Sequence, residues 1–318
     1  MGTLKTSLIT LLLLLSAAAY SDATSEFETL LDEHWEWVLK SYPLFASQLG
    51  DRRFNDRWTD QSLDAIEQRH KDTREFLRRV YAIDRNALSE SDQLNYELFR
   101  RQLQEDVDMH KFNGHLMPFF HRGGIQDLEN TTNQLRLETT KDFEDWLARM
   151  AKIDEVVEQQ IDRAEAGRKR GVISPKTLMQ RVTPQLDRQL VDNAEDSPFF
   201  AAFEDLPDTI PAADQQRLRD QALQTIDKTI LPAYRKLNRY FNRTYLPAAR
   251  DTIGQSSLPQ GVDWYESLAR SFTTTRMTPD EIHELGLEEV KRNRNEMQVI
   301  IDELNFEGSF AEFLTFLR

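Results

Sequence analysis

The sequence has no cysteine among its 318 residues, which excludes disulfides, thiol catalysis and cysteine-bound metal centres. It also has no excess of basic residues, since 40 Lys and Arg stand against 54 Asp and Glu and give a formal net charge of −14. Because an acidic chain repels polyphosphate, nucleic acid is not expected as a partner. The 18 Phe, 8 Tyr and 5 Trp are enough to build a hydrophobic core.

Long apolar runs are absent except close to the first residue. There a lysine is followed by an apolar stretch over residues 8–15 and then by several small residues. This order predicts a secretory signal peptide over residues 1–19, cleaved after Ala19 or, as an alternative, after Ala23. An uncleaved N-terminal anchor is the competing interpretation, although the stretch is short for a membrane span. We therefore expect an exported protein, periplasmic or secreted, with no stable membrane span after cleavage.

Apolar residues recur along most of the chain at the spacing of an α-helix, and no convincing run shows the alternation typical of strands. The predicted fold class is therefore all-α, an irregular multi-helix array with kinked long helices and no significant sheet. A symmetric four-helix bundle is not expected, because bent helices of unequal length do not tile one. Residues 20–318 are predicted to form a single helical domain, the N-terminal part of a longer one. The longer predicted helices are 62–81, 90–111, 143 to 167 or 171, and 211–253.

Two prolines lie inside the last of these helices. Pro232 and Pro247 both interrupt an apolar stripe that is otherwise continuous. Proline has no backbone N–H, and its ring clashes with the carbonyl four residues earlier. We therefore expect the helix to kink or break at both positions.

Residues 278–289 contain the beginning of a zinc-peptidase signature without its end. In a helical H-E-x-x-H the two histidines lie one turn apart and bind the same Zn²⁺, while the glutamate activates a metal-bound water. His283 and Glu284 are present, but Leu287 stands where the second histidine is needed. The segment is therefore not predicted to bind metal, and a packed or solvated helix explains it better.

Two capping boxes predict the starts of the last two helices. Thr278 at the N-cap is followed by Pro279 at the first helical position and Glu281 at the third. Ser309 and Glu312 repeat the pattern, and the helix that they open has no C-cap signal before the sequence stops. If the chain is a portion of a longer protein, the apolar side chains of this helix are expected to lack partners. They are Phe310, Phe313, Leu314 and Leu317.

Segments spread along the chain resemble one bacterial protein family. The segment MTPDEIHELGLEEVKRNRNEM at 277–297 is similar to a stretch of the Domain of Unknown Function 885 (DUF885) family, and other segments agree with the same family in the same order. The resemblance runs from about residue 26 to the last residue. The other similar segments are 34–54, 94–103, 115–124, 141–150, 231–237 and 308–318.

The resemblance implies a helical, zinc-peptidase-like protein roughly twice as long as this chain, with an H-E-x-x-P-G-H-H type motif in its second half. No such motif occurs in these residues. We therefore expect the N-terminal portion of an exported zinc-dependent hydrolase, inactive by itself and without catalytic or metal-binding residues. Zinc, and a peptide or other small amide substrate, are expected only in the complete protein. The alternative is a non-catalytic extracytoplasmic helical protein that serves as a binding or scaffold protein.

The longest segment predicted to be irregular is 112–140, and long loops in compact domains are often functional. Its histidines, with His110 just before it, are spaced by five and six residues, which suits neither one helix face nor a tight metal loop. Aromatic rings, two glycines and a His-Arg pair are better suited to the wall of a substrate cleft that holds an anionic group. A loop that packs its aromatic rings and leaves its histidines in water is the alternative. The candidate cleft residues are His115, His121, Arg122, Gly123 and Gly124.

Overall fold

A computed structural model describes residues 23–318, and the predicted signal peptide lies outside these residues. The described part is all-α, as predicted, with no strand and a single isolated backbone bridge between Pro175 and Arg250. No helix in this part is long and apolar enough to cross a membrane. The helices are α1 (23–41), α2 (Pro43–Gln48), α3 (Leu63–Ala82), α4 (Glu90–His110), α5 (Thr140–Met150), α6 (Ile153–Arg170), α7 (Lys176–Met179), α8 (Thr183–Asp187), α9 (Ala201–Glu204), α10 (Ala212–Thr225), α11 (Leu231–Tyr240), α12 (Leu246–Ala248), α13 (Gly261–Thr273), α14 (Pro279–Glu303) and α15 (Phe310–Phe316).

The chain divides into two compact units, one that extends to Pro259 and one over Gln260–Arg318. The first contains α1 to α12, and the second contains α13 to α15. The single-domain interpretation of residues 20–318 stays a prediction.

The first core of the larger unit is built by α1, α3 and α4. Ser62 and Ser89 cap α3 and α4 by accepting hydrogen bonds from the backbone N–H three residues later, which fixes where these helices begin. Their bounds agree with the predicted 62–81 and 90–111 to within a residue. The buried apolar side chains that hold the three helices together are Phe27, Leu30, Leu77, Val80, Ile83, Leu88, Tyr96, Phe99 and Leu103.

The second and larger core lies among α5, α6, α8, α10 and α11. Tyr234 is fully buried, and its hydroxyl donates to the backbone oxygen of Ile125 at 2.6 Å, so its polar atom is satisfied. Fully buried rings and aliphatic chains fill the rest, among them Phe143, Trp146, Phe199, Phe203, Leu218, Leu237, Phe241 and Tyr245.

The helix predicted from residue 143 to 167 or 171 is two helices, so that prediction is wrong in its continuity. The chain leaves the helix at Ala151 and Lys152 and starts α6 at Ile153. Met150 and Ile153 are both fully buried, so the apolar stripe continues across the break at helical spacing. The oxygen of Arg149 accepts from the backbone of Lys152 and from the indole of Trp58, so the turn keeps its carbonyl satisfied.

The long helix is interrupted at both predicted prolines, although the helical path does not end at either of them. The helical path is continuous from Ala212 to Ala248, and a π-helical turn precedes each proline, at Ile226–Ile230 and at Phe241–Tyr245. The wider π turn relieves the clash between the proline ring and the preceding carbonyl without ending the helix. The helix also stops before the predicted residue 253.

The smaller unit confirms both predicted capping boxes. Thr278 and Ser309 each accept from the backbone of the third helical residue, and its glutamate side chain bonds back to the cap. The expectation of unpartnered side chains is wrong for Phe313, which is buried and lies against the ring of Phe306, whereas Leu317 is exposed. Other apolar side chains exposed on α14 are Leu285, Leu287, Val290, Met297, Val299 and Ile300.

Candidate functional site

A cavity of about 420 Å³ lies in the larger unit, between α1, α3, α4 and the turn at Gly114–Leu116. Four of the six histidines of the sequence line it, and they come from four different elements. A concave site with a few convergent polar groups is the default candidate for ligand binding. The histidines are His34, His70, His110 and His115. Other side chains in its wall are Trp37, Tyr42, Gln61, Arg69, Thr73, Gln102 and Asp106.

Three of the imidazole rings form a stack. The rings of His70 and His110 are 3.8 Å apart and nearly parallel, and that of His115 lies 5.1 Å from the ring of His110. His110 is the last residue of α4, and Asn113 then adopts a left-handed conformation with φ of 57°, which turns the chain back towards α3. Asparagine tolerates this conformation better than most residues. The stack therefore depends on how α4 ends.

Gly167 allows the turn that carries His115 to lie directly on α6. A Cβ atom at this position would lie 2.2 Å from the backbone oxygen of Leu116 and 2.6 Å from that of Val172, so only glycine fits. Arg163, one turn earlier on α6, donates from Nε to the backbone oxygen of His115 at 2.9 Å. These two contacts fix the position of His115 in the cavity wall.

The surroundings favour the neutral form of three of these imidazoles. Burial, followed by the charges of His110 and Arg163, lowers the pKa of His115 to about 4. Burial also lowers the pKa of His70 and of His34. Neutral imidazole has one donor and one acceptor nitrogen, so these rings can both give and receive hydrogen bonds from a polar ligand.

Asp106 is the acidic side chain of the cavity wall. It projects from α4 one turn before His110, and it makes no hydrogen bond or ion pair within residues 23–318. The surrounding walls remove its carboxylate from bulk water, which raises the pKa of Asp106. The cavity thus offers a carboxylate, neutral imidazoles and amides.

Of the five residues predicted from the sequence, His115 lies in the cavity wall, and the other four are not among its lining residues. The predicted irregular segment is also less irregular than expected, since 3-10 helix forms at Gly114–Leu116 and Ile125–Gln134. Short-range turns of this kind leave no apolar stripe at α-helical spacing, which is why the pattern indicated a loop.

The backbone next to the predicted His-Arg pair is fixed by two glutamine side chains. Gln126 donates to the oxygen of Phe120 at 2.7 Å, and Gln185 donates to the oxygen of His121 at 2.9 Å. The Nδ1 atom of His121 is buried and has no partner within the described residues, whereas Arg122 is exposed. A buried imidazole nitrogen without a partner is available to a ligand.

The two glycines that follow make the sharp turn of this segment. Gly123 and Gly124 have φ angles of 139° and 131°, which side chains with a Cβ atom rarely adopt. No atom would lie within 4 Å of a Cβ at Gly123. Conformation, and not a close neighbour, therefore requires glycine at Gly123.

The described residues do not fit a zinc ion. Within 23–318 no three His, Asp or Glu side chains have an arrangement that could hold a metal. The rings of His70 and His110 lie face to face, so their nitrogens do not converge on one point. His283 and Glu284 lie on α14 with exposed Leu287 one turn later.

Sequence reasoning missed His34, Arg69, His70 and Asp106. The spacing of polar residues along α3 and α4 contains a signal that could have identified the cavity residues. Residues 66, 69, 70 and 73 of α3 follow the i, i+3, i+4, i+7 pattern of an inward face, and all four line the cavity, yet three of them are polar. Residues 102, 106 and 110 of α4 form a second polar stripe of this kind. Polar stripes on the inward faces of two packed helices indicate a cavity between them.

Comparison with known proteins gives one family and one fold. The family described as "Bacterial protein of unknown function (DUF885)" matches residues 43–318. The crystal structure of a candidate lipoprotein from Colwellia psychrerythraea is similar with a TM-score of 0.71 and 18% sequence identity. The similarity covers 94% of this chain and 52% of that one, so this chain spans about half the length of that protein. Among curated proteins none matches.

Proposed function

Since this chain belongs to the DUF885 family, we propose that it is the N-terminal portion of an exported, zinc-dependent, peptidase-like hydrolase whose metal-binding motif lies outside these residues. Three observations support the proposal. The similar crystal structure has a chain about twice as long, it is described as a candidate lipoprotein, and α14 exposes apolar side chains that a further part of the protein could cover.

Within that protein, we assign substrate binding to this portion. The observation that carries the assignment is the cavity in which four histidines from four elements converge although no metal geometry requires them. A peptide or another small amide is a suitable substrate, because neutral imidazoles and amides match the donors and acceptors of an amide bond. The turn with His121, Arg122, Gly123 and Gly124 is proposed to extend the cleft wall beyond His115.

The test of this assignment is kinetic. In the complete protein, Arg122→Ala should raise KM by about 10-fold or more, because a charge-assisted hydrogen bond contributes about 1.5–3 kcal/mol. His115→Ala and His121→Ala should each raise KM by about 3- to 10-fold, because an ordinary hydrogen bond contributes about 0.5–1.5 kcal/mol. Their melting temperatures should stay close to that of the wild type. His283→Ala, an exposed histidine outside the cavity, is the matched control and should change neither quantity. Unchanged KM in all three variants would refute the cleft assignment.

Metal analysis separates this proposal from the non-catalytic alternative. The chain of residues 20–318 should hold no stoichiometric Zn²⁺ after dialysis, whereas the complete protein should hold about one and lose amide hydrolysis when a chelator removes it. A complete protein that binds peptides, contains no zinc and hydrolyses none of them would support the alternative, an extracytoplasmic helical protein that binds without catalysis.

A further inference from the structure

Two arginines beside the histidine-lined cavity have no acidic partner. Arg69 lines the cavity from α3, and Arg163 reaches it from α6 through hydrogen bonds to the oxygen of His115 and to the side chain of Gln61. Neither forms an ion pair with a described acidic side chain. Burial, and next the charge of Arg69, lowers the pKa of Arg163 to about 10, so the two guanidinium groups also repel each other. Within the described residues neither guanidinium group therefore has a carboxylate in direct contact with it.

Three carboxylates near Arg69 in sequence interact with other side chains. Glu67 lies 3.3 Å from the ring of His110, Asp72 accepts from the indole of Trp37, and the side chain of Asp60 accepts from Gln159. Charges that are removed from water normally acquire a partner of opposite sign. No acidic side chain within residues 23–318 forms an ion pair with either arginine.

Arg69 keeps donors free for that partner. One Nη donates to the backbone oxygen of Asp60 at 2.6 Å, and the guanidinium lies 5.6 Å from the ring centre of Tyr42, which holds it in place. A guanidinium has five N–H donors in a planar fork, and this backbone contact uses one of them. The remaining donors suit the two oxygens of a carboxylate.

We propose that the cavity binds a small ligand by its carboxylate group, which pairs with Arg69 and supplies the missing negative charge. The imidazoles and the amide of Gln61 donate the further hydrogen bonds, and the rings of Trp37 and Tyr42 hold the apolar part of the ligand. This assignment rests on the proposed function, since it names the carboxyl end of a peptide as the group that is held.

A singly charged carboxylate fits the cavity better than phosphate does. Asp106 stands in the same wall and repels a dianion, and the net charge of −14 disfavours polyanions in general. The volume of about 420 Å³ lies in the usual range for sites that hold small organic molecules. An amino acid or dipeptide is of suitable size and charge.

The experiment is calorimetric titration of the full chain with L-alanyl-L-phenylalanine, its C-terminal amide and inorganic phosphate. The free dipeptide should bind saturably, and the amide at least about 10-fold more weakly, because it cannot form the charged pair. Arg69→Gln should weaken dipeptide binding by about 10- to 100-fold. Arg78→Gln, an exposed arginine on the same helix that pairs with Glu75, is the matched control and should bind as the wild type does.

A second variant keeps the test decisive if Arg69→Gln does not fold. Gln102→Glu places a negative charge in the wall at an exposed position of α4 and should also weaken dipeptide binding. Equal affinity for dipeptide and amide, equal or tighter binding of phosphate, or no effect of either cavity variant would overturn the proposal. The titration measures binding and not turnover, so it tests this site separately from the hydrolase proposal. If the chain binds the carboxylate and the complete protein hydrolyses no amide, the hydrolase proposal is refuted and the proposed carboxylate site is retained.

Discussion

Replacing Gly167 by alanine tests how α6 positions the cavity wall. The added methyl group would lie 2.2 Å from the oxygen of Leu116 and 2.6 Å from that of Val172. Ordinary contact begins near 3.4 Å, so one of the two segments must move by about 1 Å. Both obstacles are backbone atoms, which cannot rotate away as a side chain end can. We expect the turn at Gly114–Leu116, with His115 in it, to move, because it is a single 3-10 turn.

The expected change in the free energy of unfolding is the balance of two opposing contributions. Alanine in a helix interior gains about 1 kcal/mol over glycine through its lower backbone entropy in the unfolded chain. Overpacking against a rigid backbone costs about 1–3 kcal/mol, and the distances at Gly167 place it at the upper end. We therefore expect Gly167→Ala to lose about 2 kcal/mol of the free energy of unfolding.

Urea denaturation followed by circular dichroism measures this loss, and the control is Gly286→Ala on α14. No atom would lie within 4 Å of a Cβ at Gly286, so that variant should be more stable than the wild type by about 0.5–1 kcal/mol. The two substitutions are chemically identical and should have opposite signs. A Gly167→Ala chain as stable as the wild type would refute the close approach of α6 and the turn, and with it the placement of His115.

Three further predictions concern other parts of the chain. Burial lowers the pKa of His115 to about 4 from about 6.5, so its contribution to stability is present above pH 6.5 and is lost as the pH falls towards 4. The free energy of unfolding should therefore differ between pH 7.5 and pH 4.5, and His115→Asn should reduce that difference by about 1–2 kcal/mol after allowance for partial exposure. An unchanged difference would contradict this. Val290→Lys on α14 should reduce the binding of a hydrophobic dye while unfolding free energy stays within about 0.5 kcal/mol of the wild type, and undiminished dye fluorescence would contradict it. The fully buried Arg149 donates to the backbone oxygens of Arg57 and Phe54. Arg149→Met should therefore lower the free energy of unfolding by about 2–4 kcal/mol, as measured by urea denaturation, whereas unaltered stability would show that these hydrogen bonds contribute little.

Helix starts could be predicted because their signals are local. Ser62, Ser89, Thr278 and Ser309 each satisfy a backbone N–H of the first turn with their own side chain, so a few residues of sequence contain the whole interaction. The all-α class follows in the same way from a period that repeats over many residues. These predictions required no knowledge of which helices touch.

The two prolines indicated where the long helix is interrupted, but neither the π turns nor the break after Met150 could be predicted, because they preserve the apolar pattern from which helices are inferred. The break after Met150 keeps Ile153 on the same buried side, and the π turns before Pro232 and Pro247 keep their apolar side chains buried. Which type of turn forms depends on tertiary packing, which a single sequence does not display.

Most of the residues that line the cavity could not be identified from local sequence patterns. His115 could be singled out because it lies in a segment without helical period, and it lines the cavity. His34, Arg69 and His70 lie on regular helices and resemble any solvated polar residues. A polar side chain on the inward face of a packed helix must keep hydrogen-bond partners, since burial without them costs about 1–3 kcal/mol or more. Within residues 23–318 Asp106 has no hydrogen-bond partner and Arg69 has one, so water or a ligand has to satisfy their remaining polar atoms. An inward stripe that is polar on two facing helices is therefore evidence for an open site, because a closed core could not retain those side chains.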